Sequence, residues 1–266
     1  MKAMIFAAGL GTRLKPLTDT MPKSLVPVAG KPMLEHVILK LKAAGFNEIV
    51  VNVHHFANQI IEFLKEKNDL GITIHISDET DLLLDTGGGI KKAASFFTGN
   101  EPFLVHNVDI LSNVDLKALY EYHLTSGNDA TLLVSPRKTT RYLLFDHENH
   151  LCGWINKETL QTKPEGFIYA PEKLQEYAFS GIHVISPNLF NYMGEEWTGK
   201  FPIMDFYLSQ ASKINLSQIG NIDLSQAANI NISQAGTIGI KGFCCNDLNL
   251  IDIGKPDTLT QANRLF

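Results

Sequence analysis

The sequence predicts an α/β fold: a mostly parallel sheet with helices on both faces and a small antiparallel extension. Three observations carry this reading. Short apolar runs rich in Val and Ile alternate with helix-period segments through the first half of the 266 residues, the connections between them are short, and beyond residue 127 the pattern turns to β-type runs separated by polar turns. Strand and helix repetition with short links makes neighbouring strands parallel, and such sheets bind ligands beyond the carboxyl ends of their strands.

Lys2–Ala7 reads as the first buried strand, ending in Ala-Ala-Gly, and Glu48–Val53 (EIVVNV) as a second. Between them Leu34, Val37, Ile38 and Leu41 fall at i, i+3, i+4 and i+7, with Pro32 suited to a helix start and Gly45 to its end. Phe56, Ile60, Phe63 and Leu64 mark a second helix, Ile72–Ile76 a strand, and Ile90, Ala93, Ala94 and Phe97 a third helix. Phe103–His106 follows as a strand, and Leu116, Leu119 and Tyr120 as a fourth helix. The second half holds strands at Ala130–Val134, Tyr142–Phe145, Leu151–Ile155, Tyr177–Ile185 and Asn249–Ile253, with helices at Pro202–Gln210 and Pro256–Leu265.

No linker divides the chain, which reads as a single domain over 1–266. Within it, Ile214–Asn221, Ile222–Asn229 and Ile230–Thr237 repeat with a period of eight and carry Ser-Gln at the fourth and fifth places. Three such short units bury little, so the stretch at about 212–241 is expected to be an inserted surface loop and not a solenoid.

Composition narrows the function. With 44% hydrophobic and 19% charged residues the chain is not of the disordered class, and 23 Lys and Arg against 28 Asp and Glu, a net charge of −5, disfavours nucleic acid as partner. Three cysteines, two of them adjacent, suit neither a disulfide framework nor a metal site and point to a reducing compartment. No apolar run approaches the roughly twenty residues of a membrane span. A soluble cytoplasmic protein with a small ligand and no membrane partner is expected. The nine histidines show no metal-ligand spacing, and Phe179-Ser180-Gly181 lacks a nucleophile elbow.

The first strand runs into Gly9-Leu10-Gly11-Thr12-Arg13-Leu14-Lys15-Pro16-Leu17. A dinucleotide fingerprint would need glycine at Leu14 and no Pro16, and a P-loop would need Gly-Lys-Ser/Thr, so both are disfavoured. Two readings remain open from spacing alone. Either the glycine turn presents backbone amides to a polyphosphate, with Arg13 and Lys23 as cations, or it is a tight turn beside two solvated charges. Asp109 follows an apolar run and Asp252 lies within another, so each can project at a strand end. Mg²⁺ needs only one or two carboxylates, with waters and phosphates completing its shell, although a lone Asp there is also a common turn residue.

The complete string AAGLGTRLKPLTDTMPKSLVPVAGKPML resembles the signature of nucleoside-triphosphate:sugar-1-phosphate nucleotidyltransferases, G-x-G-x-R-L-x-P-L-T, then P-K-x-L-V-P-V, then G-K-P. The similarity extends through Asp85-Thr86-Gly87-Gly88-Gly89-Ile90, Asn107-Val108-Asp109, Phe179-Ser180-Gly181-Ile182 and Asp252-Ile253-Gly254, leaving out only 212–241. It looks closest to short members such as N-acetylmuramate-1-phosphate uridylyltransferases and mannose-1-phosphate guanylyltransferase-like proteins. The resemblance implies a Rossmann-like nucleotide-diphospho-sugar transferase fold. It also implies that Ala8, Gly9, Gly11 and Thr12 hold the nucleotide, that Arg13 and Lys23 contact its phosphates as catalytic cations, and that Thr86 and Gly87 lie by the base. Asn107, Lys157 and Gly181 would serve the sugar phosphate, and Asp109 and Asp252 would bind Mg²⁺, with Asp109 catalytic.

Two departures stand out. The family often has Asn-Gly-Asp where this chain has Asn107-Val108-Asp109, and a β-carbon excludes an easy positive φ. The surroundings of Lys157 match the family's E-x-K-P poorly. The implied reaction is Mg²⁺-dependent nucleotidyl transfer from a nucleoside triphosphate, UTP favoured and GTP next, to a sugar 1-phosphate, by a monomer or weak homodimer. Two alternatives stay open: a non-catalytic nucleotide-sugar-binding regulatory homologue, and an enzyme like molybdenum-cofactor guanylyltransferase. Retention of Arg13, Lys23, Asp109 and Asp252 favours the transferase, and the long P-L-T and P-K-S-L-V-P-V string favours sugar phosphate. With the repeat removed roughly 240 residues remain, the scale of one catalytic domain, with no room expected for a β-helical acyltransferase module.

Overall fold

The computed structural model describes residues 1–218 and 238–265. The elements run β1 (Lys2–Phe6), β2 (Pro27–Val28), β3 (Lys31–Pro32), α1 (Met33–Ala43), β4 (Glu48–Val53), α2 (Ala57–Glu66), β5 (Thr73–Asp78), α3 (Asp85–Lys92), β6 (Phe103–Asn107), β7 (Ile110–Ser112) and α4 (Leu116–Ser126). The second half holds β8 (Ala130–Ser135), β9 (Arg141–Phe145), β10 (Leu151–Asn156), β11 (Thr162–Lys163), β12 (Gln175–Ile185), α5 (Ile203–Gln218), β13 (Ile240–Cys244), β14 (Leu250–Asp252) and α6 (Pro256–Leu265).

The main sheet has the order β11-β10-β9-β12-β6-β1-β4-β5, with β8 pairing β12 and β13 pairing β8. Its heart, β6-β1-β4-β5, is parallel throughout. The strand β12 runs antiparallel to β6, β8 and β9, and opens the antiparallel extension of β9, β10 and β11. This is the mixed, mostly parallel architecture that the alternating pattern predicts.

Period-two alternation divides the strands between two cores. Ala3, Ile5, Ile49, Val51 and Leu104 face α1, α2 and α4, meeting Leu34, Ile38, Ile60 and Leu119. Met4, Val50, Phe103 and Val105 face the other way, onto Ile90 of α3 and Phe206 and Tyr207 of α5. Helices therefore cover both faces, and the loops at the carboxyl ends of the strands stay open. Among the described residues no helix is long and apolar enough to cross a membrane.

Two elements differ from the sequence reading. The third helix begins at Asp85 and passes through Gly87, Gly88 and Gly89, residues of low helix propensity that mask it in the sequence. What holds it is tertiary. The amides of Gly87 and Gly88 donate to the Phe201 carbonyl at 2.8 and 3.2 Å, and Phe201 N donates back to the Leu84 carbonyl at 3.1 Å. A Cβ on Gly88 would stand 2.1 Å from the Gly199 carbonyl oxygen, and one on Gly87 2.3 Å from the Phe201 ring. Only glycine admits so close an approach.

The second difference lies around the repeat. Helix α5 continues to Gln218, and β13, unseen in the sequence, pairs in parallel with β8 from Ile240. Residues 212–218 of the expected loop thus belong to α5 and 240–241 to β13, and the rest of the repetitive segment lies outside the described residues. Among the described residues the cysteines form no disulfide, and Cys152 is buried.

Three histidines sit inside the cores: His106 on β6, His123 on α4 and His183 on β12. His123 is satisfied by the Thr131 and Ser186 hydroxyls, each at 2.9 Å, whereas neither ring nitrogen of His183 has a hydrogen-bond partner among the described residues. Burial disfavours the imidazolium and pushes His106 and His123 down to about 4 and His183 to about 3. Their contribution to stability is therefore full above the unfolded-state value near 6.5 and is lost as pH falls below it, on the order of 2 kcal/mol per group by about pH 5. Urea unfolding should show a marked loss of stability between pH 7 and pH 5, and His183→Leu should flatten part of that slope; equal stability at both pH values would contradict the assignment. Gly88→Ala should destabilise by about 1–3 kcal/mol through overpacking against Gly199, read from the same urea midpoints.

Candidate active site

The carboxyl ends of β1, β4, β5 and β6 converge on one cavity of about 320 Å³. Of the residues expected at the site, Ala8, Gly9, Lys23, Thr86, Asn107 and Asp109 line it. The Lys23 ammonium forms an ion pair with the Asp109 carboxylate, their side chains only 11% and 17% exposed. A pair so shielded from water is coupled more strongly than one on the surface.

The glycine loop closes onto that pair. Gly11 takes φ 65°, and a Cβ there would stand 2.8 Å from Thr18 Cγ2 and 2.9 Å from Lys23 Cβ. The Thr18 hydroxyl and the Leu14 amide both donate to the Gly11 carbonyl, at 2.8 and 2.9 Å, which folds Thr12–Leu14 into a single 3-10 turn. Arg13 leaves this turn toward the far end of the chain. A Cβ on Gly254 would meet the Asp252 carboxylate at 2.7 Å and the Arg13 guanidinium at 3.0 Å.

Asp252 does not line the cavity; it is exposed at the end of a short antiparallel pairing in which it stands opposite Ile110, and the next amide, Ile253 N, donates to the Asp109 carbonyl at 2.8 Å. The two aspartates thus occupy adjoining backbone positions. Among the described residues no group of three or more His, Cys, Asp and Glu side chains gathers to hold a metal.

The remaining expectations divide. Gly181, at φ 72°, lets β12 press on Asn107, since a Cβ would stand 2.6 Å from Asn107 Nδ2. Val108 is buried and does not take a positive φ, so the change from the Asn-Gly-Asp pattern imposes no backbone penalty. Gly87 does not face the cavity; it is buried under Phe201, and the Thr86 hydroxyl accepts from the Ile203 amide at 2.9 Å. Lys157 lies outside the cavity wall, bound to Glu176 and to the Tyr169 hydroxyl. Burial alone would lower its ammonium, but the hydrogen bonds to Glu176 and Tyr169 together raise it. Arg137 lies on the Asp252 side, donating to the Phe179 carbonyl at 2.7 Å.

Three polar residues of the wall escaped the sequence reading: Asn52, Glu79 and Lys200. The Asn52 carboxamide oxygen accepts from the Ala7 and Ala8 amides at 2.7 and 3.2 Å, and its nitrogen donates to Glu79 Oε1 at 2.8 Å. Glu79 Oε2 accepts from the Leu84 amide at 3.1 Å. Asn52 is 2% exposed and Glu79 not at all. The one sequence signal was the lone Asn in the strand EIVVNV, a buried polar group that must find a partner.

Residues 2–265 match the nucleotidyl transferase family. The chain is 46% identical over 121 residues to N-acetylmuramate alpha-1-phosphate uridylyltransferase of Neisseria meningitidis, covering 46% of this chain and 52% of that protein. It is 41% identical over 195 residues to probable mannose-1-phosphate guanylyltransferase 2 of Oryza sativa, covering 72% and 51%. The match thus spans about half the length of each relative. In three dimensions HddC from Yersinia pseudotuberculosis superposes with a TM-score of 0.70 at 23% identity, over 100% of this chain and 99% of that one, which shows a shared fold. With the match running through almost every residue, the chain belongs to the nucleotidyl transferase family.

Proposed function

We propose that the protein transfers a nucleotidyl group from a nucleoside triphosphate, UTP favoured and GTP next, to a sugar 1-phosphate, releasing pyrophosphate. The observation that carries this reading is the shielded Lys23–Asp109 pair at the rim of the glycine loop, with Asp252 on the adjoining strand. The names of the relatives agree with it, one a uridylyltransferase and the other a guanylyltransferase of sugar 1-phosphates.

The donor set fits Mg²⁺, which takes one or two carboxylates and fills its octahedron with waters and substrate phosphates. Asp109 and Asp252 would hold the ion, which when bound would neutralise phosphate charge and orient the triphosphate. The residues of the chain do the rest. The Gly9–Arg13 backbone presents amides to the phosphates, and Lys23, exchanging Asp109 for the α-phosphate, offsets charge that grows as the transfer proceeds. A sugar 1-phosphate, with its second pKa near 6, is already mostly a dianion at neutral pH and needs no general base. Its oxygen attacks the α-phosphorus, the bond to the bridging α–β oxygen breaks, and pyrophosphate leaves with that oxygen. Arg13 and Lys23 let two polyanions meet, and Asn107, held by Gly181, lines the approach on the β12 side. Lys157 can assist the sugar phosphate only by giving up Glu176.

Pyrophosphate release by the purified chain, measured for UTP, GTP, CTP and ATP against a panel of sugar 1-phosphates with Mg²⁺, should require both substrates and the ion. Release without a sugar phosphate, or none with any pair, would overturn the reading. Asp109→Asn and Asp252→Asn should each cut turnover by about 10²-fold or more with the circular dichroism spectrum kept; near-normal turnover in both would remove them as ion ligands. Asn52→Ala should lower stability by about 1–3 kcal/mol, because it strands the Glu79 carboxylate and two amides, and should raise the KM for the triphosphate more than that for the sugar phosphate.

A further inference from the structure

One cation on the cavity wall has no part in the proposed transfer. Lys200 lines the cavity beside Leu83, Asp85 and Thr86, and its ammonium has no hydrogen-bond or ion-pair partner among the described residues. Other lysines near this region are committed: Lys23 to Asp109, Lys163 to Asp205, and Lys91 to three carbonyls.

Its backbone is nevertheless fixed from both sides. Phe201 exchanges hydrogen bonds with Gly87, Gly88 and Leu84, Ile203 donates to Thr86, and the Gly199 carbonyl rests on Gly88 where no Cβ fits. The glycine run of α3 thereby clamps the segment that carries Lys200. Most of the carboxylate oxygens that share its wall are also occupied. Asp85 Oδ1 accepts from the Thr86 amide at 2.6 Å, and the two oxygens of Glu79 are taken by Asn52 and Leu84. An exposed, unpaired ammonium carried on a fixed backbone, in a cavity whose nearby acid oxygens are mostly engaged with their own backbone and neighbours, is left for a ligand atom.

The phosphates of a triphosphate are provided for by the Gly9–Arg13 loop and Lys23. Beside Lys200 the wall offers apolar surface from Phe6 and Leu83, suited to a flat base, next to the polar Asp85 and Thr86, with Lys200 as the charged donor. An ammonium has donors and no acceptor, so it favours a base edge carrying a carbonyl oxygen over one carrying an amino group. Resting on the nucleotidyl-transfer reading above, we infer that Lys200 reads the base, selecting triphosphates of the keto bases uracil and guanine over those of cytosine and adenine.

Titration calorimetry of the full chain with UTP, GTP, CTP and ATP in Mg²⁺ tests this without relying on turnover. The wild type should bind UTP or GTP about tenfold or more tightly than CTP and ATP, the scale of one good base contact. Lys200→Met should shrink that ratio to about threefold or less by weakening the keto nucleotides alone, and Lys200→Arg should restore part of it, both with thermal midpoints within about 2 °C of the wild type. An equal loss for all four nucleotides, which marks a phosphate contact, or a ratio that Lys200→Met leaves unchanged, would overturn the inference. Absence of a wild-type preference would overturn it too. If the wild type binds no triphosphate at all, the nucleotidyl-transfer reading fails with it.

Discussion

The Asn52 carboxamide is the constraint on which the site depends. It ties the ends of three adjacent parallel strands, accepting from the two amides that follow β1 and donating to the acid that follows β5. Each group in this clasp is buried, so a missing partner would leave a polar atom without water or protein to satisfy it, at about 1–3 kcal/mol apiece. The loops at the strand ends are therefore held in one arrangement by an interaction internal to the sheet. Gly89 completes it, since a Cβ there would press within 2.8 Å of Glu79 Oε1 and 3.2 Å of Asn52 Nδ2.

From that fixed floor the chemistry is assembled by approach. The turn at Gly11 brings the glycine loop against Lys23, the β7–β14 pairing brings the backbone at Asp252 beside that at Asp109, and the irregularity of β12 at Gly181 brings that strand against Asn107. The Lys23 ammonium neutralises Asp109, which spares the acid the cost of being shielded from water and alone. Under the proposed transfer the same pairing leaves an exchange in which the ammonium turns to the phosphates and the carboxylate to a metal ion. A chain of net charge −5 repels polyanions on average, so under the proposed transfer this local concentration of cations does the attracting.

Most of the fold was legible because its signals are local. Apolar runs such as Met4-Ile5-Phe6 and Ile49-Val50-Val51 mark strands buried on both faces, and the spacing of Leu34, Val37, Ile38 and Leu41 gives the buried stripe of α1. The loop at Gly9–Lys23 was legible as a string, since its unusual backbone demands particular residues in a particular order. What escaped was decided by distant partners. The start of α3 is hidden by three glycines whose helix is stabilised by Phe201, far along the chain. Strand β13 follows a repeat that obscures its frame and draws its place from β8. Asn52, Glu79 and Lys200 carry no motif; only the convergence of strand ends and the clamped 199–203 segment put them on one wall. Gly87 matched a family string and was expected beside the base, whereas in the fold its lack of a side chain serves packing.

A crystal structure of the chain with a non-hydrolysable UTP or GTP analogue and Mg²⁺ is the most direct test of the proposed transfer. The triphosphate should lie on the Gly9–Arg13 amides, with Lys23 moved from Asp109 to a phosphate oxygen and the ion bound by Asp109 and Asp252. A nucleotide seated elsewhere, with the Lys23–Asp109 pair unbroken, would contradict it.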